Sequence, residues 1–429
     1  MASPLTRLAS VALCIASVAA HAGTQDTPLP AASPGSSGFS AQRLQRLHRF
    51  MQGATGPDGY LGGVTLIARD GKIVDWRAYG YRDLARKSPM GKDAIFRIYS
   101  MTKTVTSVAV LMLVEEGKIT LDDPVSRYLP EFEKMQVLAG GTADAPRMRP
   151  AAKPITIREL LTHTAGFPAG VKGDEAAVQL QERADPHGAP DLRGFAERLS
   201  RTPLAADPGT RFGYDSAALE VLAWLVEVES GVSFDAFLHQ RIFEPLRMAD
   251  TGFSVPAAKR ARIADLTRMG DDGRLKIDDG VSAQHPGEKL NAYDSGAGGL
   301  YSTAADFARF SQMLLNGGEL DGTSVLGRKT VELMMTNQLT MLDPPVTQFS
   351  DAEGFGFGGS VVIDVAKRGQ PGSLGQFGWP GAASTTYTID RQERLVAIML
   401  LQHLPRDGAK DLPRVSRNFY GLVYQGLVR

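Results

Sequence analysis

Strand-forming runs lie towards the two ends of this chain, with a long stretch of helical patterning between them. A single sheet can therefore form only if distant segments meet. Residues 64–68 and 73–76 flank Asp70-Gly71, a dipeptide suited to a two-residue hairpin. Residues 385–390 and 395–401 flank Arg391-Gln392-Glu393, and 354–365 is a glycine- and aromatic-rich strand region. From 121 to 290 no clear hairpin appears, and helical patterns at 157–162, 191–199, 217–229 and 234–243 are separated by Pro- and Gly-rich loops. Helical spacing recurs at 41–51, 304–315 and 415–427. The economical assembly is α+β, of the three-layer α/β/α type. One antiparallel sheet comes from both chain ends and is flanked by helices, beside a mainly helical domain. The expected division is a sheet domain of 41–99 and 291–429 and a helical domain of 100–290.

The junction falls where an extended segment runs into an apolar helix that starts near Ser100. Met101, Val105, Val108, Leu111, Met112 and Val114 put apolar side chains on most faces of that helix, so it should be central and buried, with Gly117 just past its end. Ser100 and Lys103 lie one turn apart on the same face. A lysine in a first helical turn opposes the positive end of the helix dipole. The positions three and four residues away hold Tyr99, Ser100, Thr106 and Ser107, with no carboxylate among them. At an ordinary pKa about one lysine in 2,500 is neutral at pH 7, and burial and the dipole both push towards the neutral amine. A neutral amine beside Ser100 could take its proton, an effect worth about 10²–10⁴ in rate. The plainer alternative is a capping serine followed by a solvated lysine, which the apolar surroundings disfavour.

Two further segments could reach the same cleft. Tyr214 sits in Pro208-Gly209-Thr210-Arg211-Phe212-Gly213-Tyr214-Asp215-Ser216, a loop leading into the 217–229 helix. Trp379 precedes Pro380, which cannot donate to a ladder, so this stretch should be an edge strand or the start of one. An edge beside a cleft leaves backbone N–H groups for an oxyanion. Taken alone, Tyr214 fits a packed core position equally well, and Trp379 fits a core or rim position better. Gly354, Gly356 and Gly359 match a dinucleotide-binding spacing, but no helix opens there. His163 could serve as a base, yet no G-x-S-x-G elbow occurs. The seven histidines lie far apart without a ligand cluster, so no metal site is indicated.

With 47 basic and 47 acidic side chains, the chain's charge balance argues against nucleic acid or an acidic membrane surface as main partner. Its first residues read as a signal peptide, 1–22, with Arg7, an apolar core too short to span a bilayer, and Ala20-His21-Ala22 as cleavage site. Cleavage after Ala22 removes Cys14, the only cysteine. A periplasmic or secreted protein without stable membrane insertion is expected, with 23–40 as a flexible Pro-, Gly- and Ser-rich leader.

Taken in order, these segments resemble the serine β-lactamase and penicillin-binding-protein superfamily, and most nearly the class C β-lactamase-like family VIII carboxylesterases. The series is Ser100-Met101-Thr102-Lys103, Ile155 to Gly166, Pro208 to Tyr214, Ile242 to Met248, Gly298 to Thr303, and Trp379-Pro380-Gly381. The resemblance implies Ser100 as nucleophile, Lys103 as its proton partner, and Tyr214 as the catalytic tyrosine that can protonate the leaving group. It implies an oxyanion hole from the N–H groups of Ser100 and Ala382, a structural His163, and no cofactor. Tyr99, Ser216, Trp379 and Gly381 are the expected substrate contacts. β-Lactamases and peptidases carry Lys or His where this chain has Trp379, and the tyrosine motif usually ends in Asn where this chain has Ser216. Both departures favour neutral esters, so the expected function is hydrolysis of short-chain carboxylic esters through an acyl-enzyme on Ser100. The alternatives are a β-lactamase, a D-Ala carboxypeptidase or a transesterase using the same residues, and, from a different class, a non-catalytic ligand sensor. The partner is a small-molecule ester, and the oligomeric state is left open.

Overall fold

The computed structural model describes residues 28–406, 408 and 410–429. The expected signal peptide, and residues 23–27 of the expected leader, lie outside the described residues. The main sheet is antiparallel. From the first part of the chain it takes β1 (Gly62–Arg69) and β2 (Lys72–Gly80). From the last part it takes β3 (Glu353–Phe355), β4 (Ser360–Val362), β5 (Phe377–Gly378), β6 (Pro380–Gly381), β7 (Thr385–Asp390) and β8 (Leu395–Leu401). The order is β3-β4-β5-β7-β8-β1-β2, with β6 pairing β7. The two chain ends meet where β1 pairs β8, Gly63 opposite Leu401 through Arg69 opposite Leu395. Asp70 and Gly71 make the β1–β2 turn with φ of 52° and 76°, the left-handed pair that a two-residue hairpin requires.

Strand alternation divides the core in two. Val64, Leu66 and Ala68 of β1, with Val396, Ile398 and Leu400 of β8, face one side and join the larger core. Ile67, Leu395, Ala397, Met399 and Leu401 face the other, as the period of two dictates. Helices α1 (Ala41–Ala54) and α5 (Ser416–Tyr424) cover that second face. On the first face lies α4 (Ala304–Leu315), and beyond it α2 (Thr102–Glu115) and α3 (Ala217–Ser230) pack together. In α2, residues 102–113 are all buried. It ends in a Schellman turn, in which Gly117 (φ 68°) donates to Val114 O and Lys118 to Leu113 O. No helix among the described residues is long and apolar enough to cross a membrane.

Three expectations need correction. Residues 28–40 are not a loose leader: Leu29 and Phe39 are buried, Ile73 N–H donates to Pro30 O and Ala32 N–H to Ile73 O. Two buried apolar side chains outweigh the Pro/Gly/Ser composition around them. The 121–290 stretch does contain hairpins, Gln136–Gly141 with Pro146–Pro150 and Thr267–Met269 with Leu275–Ile277. The first is largely exposed, so no alternating apolar face marks it. The strand at Trp379 is an edge only in part. Phe377–Gly378 pairs on both sides, and Pro380–Gly381 pairs β7 alone.

Candidate active site

Phe96–Arg97 pairs with Tyr301–Ser302 and delivers the chain into a 3-10 turn, Tyr99–Met101, that runs directly into α2. Tyr99 has φ of 43°, a left-handed conformation that a bulky side chain adopts only under constraint. Ser100 follows on this strained corner, half-buried. Lys103, one turn on, is 2 % exposed. Its Nζ lies 3.2 Å from Ser100 Oγ and donates to Ala297 O at 2.7 Å.

The carboxylate that α2 does not supply comes from α3. Glu220 is buried, with Ser295 Oγ donating to it at 2.5 Å and Gly296 N–H at 2.8 Å. Burial pushes its carboxyl up to about 7, against the Ser295 hydrogen bond and the Lys103 charge, both of which favour the carboxylate. Lys103 therefore faces a group poised between charged and neutral near pH 7. Sequence reasoning missed Glu220. The available signal was a lone acid within the apolar run Ala217 to Val226.

On the other side, Lys103 Nζ sits 5.0 Å from the centroid of the Tyr214 ring, within cation–π range. The Tyr214 hydroxyl accepts a 2.9 Å hydrogen bond from Trp379 Nε1, and the two rings meet at 4.9 Å and 50°. The Tyr214 backbone N–H donates to Gln348 Oε1 at 3.1 Å. Beneath it, His163 (φ 55°) packs its ring 4.8 Å from that of Tyr214, pairs with Asp215 at 3.2 Å and accepts the Gly213 N–H at its carbonyl. Burial lowers the His163 pKa despite Asp215, which keeps the imidazole neutral at pH 7. Its partners make it a brace for the tyrosine loop.

Ser100 and Lys103 open onto a cavity of about 430 Å³ whose wall also includes Tyr99, Ser216, Glu220 and Leu290. Ser216 Oγ lies 3.3 Å from His187 Nε2, and His187 Nδ1 lies 3.0 Å from Tyr293 OH. Tyr99 OH lies 3.3 Å from Ser282 Oγ. Trp379 is not on this wall. It is 7 % exposed and its N–H is taken by Tyr214, so the indole holds the tyrosine. Gly381 acts by close approach: a Cβ there would fall 2.3 Å from Ile98 O and 2.2 Å from Thr385 Oγ1. Glycine thus lets β6 lie against the segment leading into the Ser100 turn. Ala382 follows, exposed, and its N–H finds no acceptor among the described residues. Also among the described residues, no group of three or more His, Cys, Asp or Glu is placed to hold a metal ion.

Comparison with known proteins places this geometry in context. The sequence model of the family described as Beta-lactamase matches residues 47–417. Protein Rv1367c of Mycobacterium tuberculosis is 37 % identical over 355 residues, 80 % of this chain and 86 % of that one. Esterase EstB of Burkholderia gladioli is 31 % identical over 360 residues, 79 % and 85 % of the two chains. The solved structure of EstCE1, described as a hydrolase with promiscuous acyltransferase activity, has a TM-score of 0.71 at 24 % identity and covers 90 % of this chain and 99 % of its own.

Proposed function

The chain belongs to the beta-lactamase family of serine hydrolases, and from that premise we propose that it cleaves short-chain carboxylic esters through an acyl-enzyme on Ser100. The carrying observation is the buried Lys103 Nζ held 3.2 Å from Ser100 Oγ at the edge of a cavity. Ser100 Oγ attacks the ester carbonyl as its proton passes to Lys103 Nζ. The tetrahedral oxyanion lies between the N–H groups of Ser100 and Ala382; one such donor is typically worth about 10²–10³ in rate. Collapse expels the alkoxide, which takes a proton from Tyr214 and leaves as the alcohol, and Lys103 passes the serine's proton on to Tyr214 so that both groups are restored. Water then attacks the acyl-enzyme along the same proton path and releases the acid.

Trp379 supports this assignment in two ways. Its N–H occupies one side of the Tyr214 oxygen, so the hydroxyl proton is directed away from the indole. It also puts no positive charge where a substrate carboxylate would need one, which favours neutral esters over anionic β-lactams and peptides. The test is turnover of p-nitrophenyl acetate and butyrate beside nitrocefin, for wild type and Ser100→Ala. Ester turnover that vanishes in the variant, with nitrocefin much the poorer substrate, is the expected result. Ester hydrolysis retained by Ser100→Ala would sink the mechanism, and nitrocefin as the better substrate would make the protein a β-lactamase.

Transfer of the acyl group to an alcohol is a second reading, supported by the acyltransferase activity in the description of EstCE1. Added alcohols would then divert acyl-enzyme to new esters, whereas an unchanged yield of acid would exclude it. We further propose that residues 1–22 direct export, which predicts a mature N-terminus at Gly23. An unprocessed N-terminus on the protein in its native host would contradict it.

A further inference from the structure

Phe349 is out of place by the standards of the rest of the chain. Phe349 is 59 % exposed, and among the described residues no other Phe, Tyr or Trp is exposed. An exposed phenyl forgoes the stabilisation that burial would bring, and a singly exposed apolar residue on a loose loop would need no explanation. This one is not on a loose loop. It stands at the tip of a turn closed by the bridge between Thr347 and Ser350. Thr347 is buried, donates its N–H to Glu353 O at 2.9 Å and accepts the Phe349 N–H at its hydroxyl. The adjacent Gln348 accepts the Tyr214 backbone N–H. The turn thus holds the phenyl against the aromatic side of the site, with ring centroids 5.9 Å from Tyr214 at 73° and 6.1 Å from Trp379 at 54°.

We propose that Phe349 is a specificity-determining residue that receives the apolar part of the substrate's alcohol. The inference rests on the esterase reading above. If Tyr214 hands its proton to the departing alkoxide, that oxygen lies within hydrogen-bond reach of the Tyr214 hydroxyl, and the group attached to it passes beside Phe349. The acyl part is left to the cavity on the other side of Lys103, between Ser216, Glu220 and Leu290. The enzyme therefore prefers esters of apolar alcohols, alkyl or aryl, over esters of small polar ones.

Two substrate series test this. In the first, butyrate is constant and the alcohol runs from methanol to hexanol. In the second, p-nitrophenol is constant and the acyl chain lengthens. In wild type, kcat/KM should rise along the alcohol series, by at most about fourfold per methylene covered. Phe349→Ala should flatten that series and leave the slope of the acyl series unchanged, and Phe349→Leu should restore part of the alcohol slope. Parallel alcohol series in wild type and Phe349→Ala would overturn the proposal, and so would flattening of the acyl series instead. Ser100→Ala keeps the two ideas apart. If it is inactive while Phe349→Ala changes neither slope, this inference fails and the esterase reading stands. If it stays active, the esterase reading itself fails.

Discussion

Ser100 and Lys103 lie three residues apart on one continuous segment, a 3-10 turn that runs into a helix whose residues 102–113 are all buried. Tyr214 is held in place by groups from three other stretches of chain: the His163 brace, the Gln348–Phe349 turn and the Trp379 indole. In the first half, helical geometry does the positioning and Ala297 O anchors the Lys103 side chain. In the second half, aromatic packing does the positioning, and a single N–H orients the hydroxyl. The two halves should therefore fail differently. Damage to the first should remove the chemistry or upset a buried charge, and damage to the second should misplace the proposed proton donor in a protein that stays folded.

Substitutions can separate these failures. Ser100→Ala should lower kcat/KM for p-nitrophenyl butyrate by about 10⁴-fold or more with the thermal midpoint unchanged, measured by spectrophotometric turnover and calorimetry. Tyr214→Phe should cost about 10²–10⁴-fold in kcat while near-UV circular dichroism stays native. A loss of native signal there would mean that the tyrosine holds up the fold as well as the chemistry.

Glu220→Gln addresses the charge in the first half. The folded-state pKa of Glu220 is raised from 4.5 to about 7, so the folded protein holds this proton more tightly than the unfolded chain. Its contribution is fully present below about pH 4.5 and is lost as pH rises to about 7. Relative to Glu220→Gln, wild type should therefore lose up to about 3 kcal/mol across that window and nothing further above it. Urea midpoints at pH 4.5, 6 and 8 read this directly, and a constant gap between the two proteins would contradict it.

The smallest effect should come from Trp379→Phe, which keeps an aromatic ring but deletes the donor to Tyr214. The loss of a net hydrogen bond of about 1 kcal/mol implies roughly five- to tenfold in kcat, with KM for small esters little changed. If KM rose and kcat held, the indole would be acting on substrate rather than on the tyrosine.

The same contrast explains what could be read from the sequence. Ser100 and Lys103 were legible because their separation is one helical turn and their helix is apolar. The sheet from both chain ends was legible because β1, β2, β7 and β8 carry strand-forming runs around short turns. Trp379 could be located, but not its task, since its partner lies 165 positions away in sequence. Glu220 lacked a local partner, and Phe349 lies in a loop with no periodicity to mark it. Composition misled at residues 28–40, where the burial of Leu29 and Phe39 decides the matter.

In the proposed reaction every acyl group passes through Ser100. Acid quenching during turnover of p-nitrophenyl butyrate, followed by mass spectrometry of the peptides, tests it most directly. A butyryl adduct is expected on the peptide containing Ser100 and absent from Ser100→Ala. Steady turnover with the adduct on another residue, or undiminished in Ser100→Ala, would contradict it.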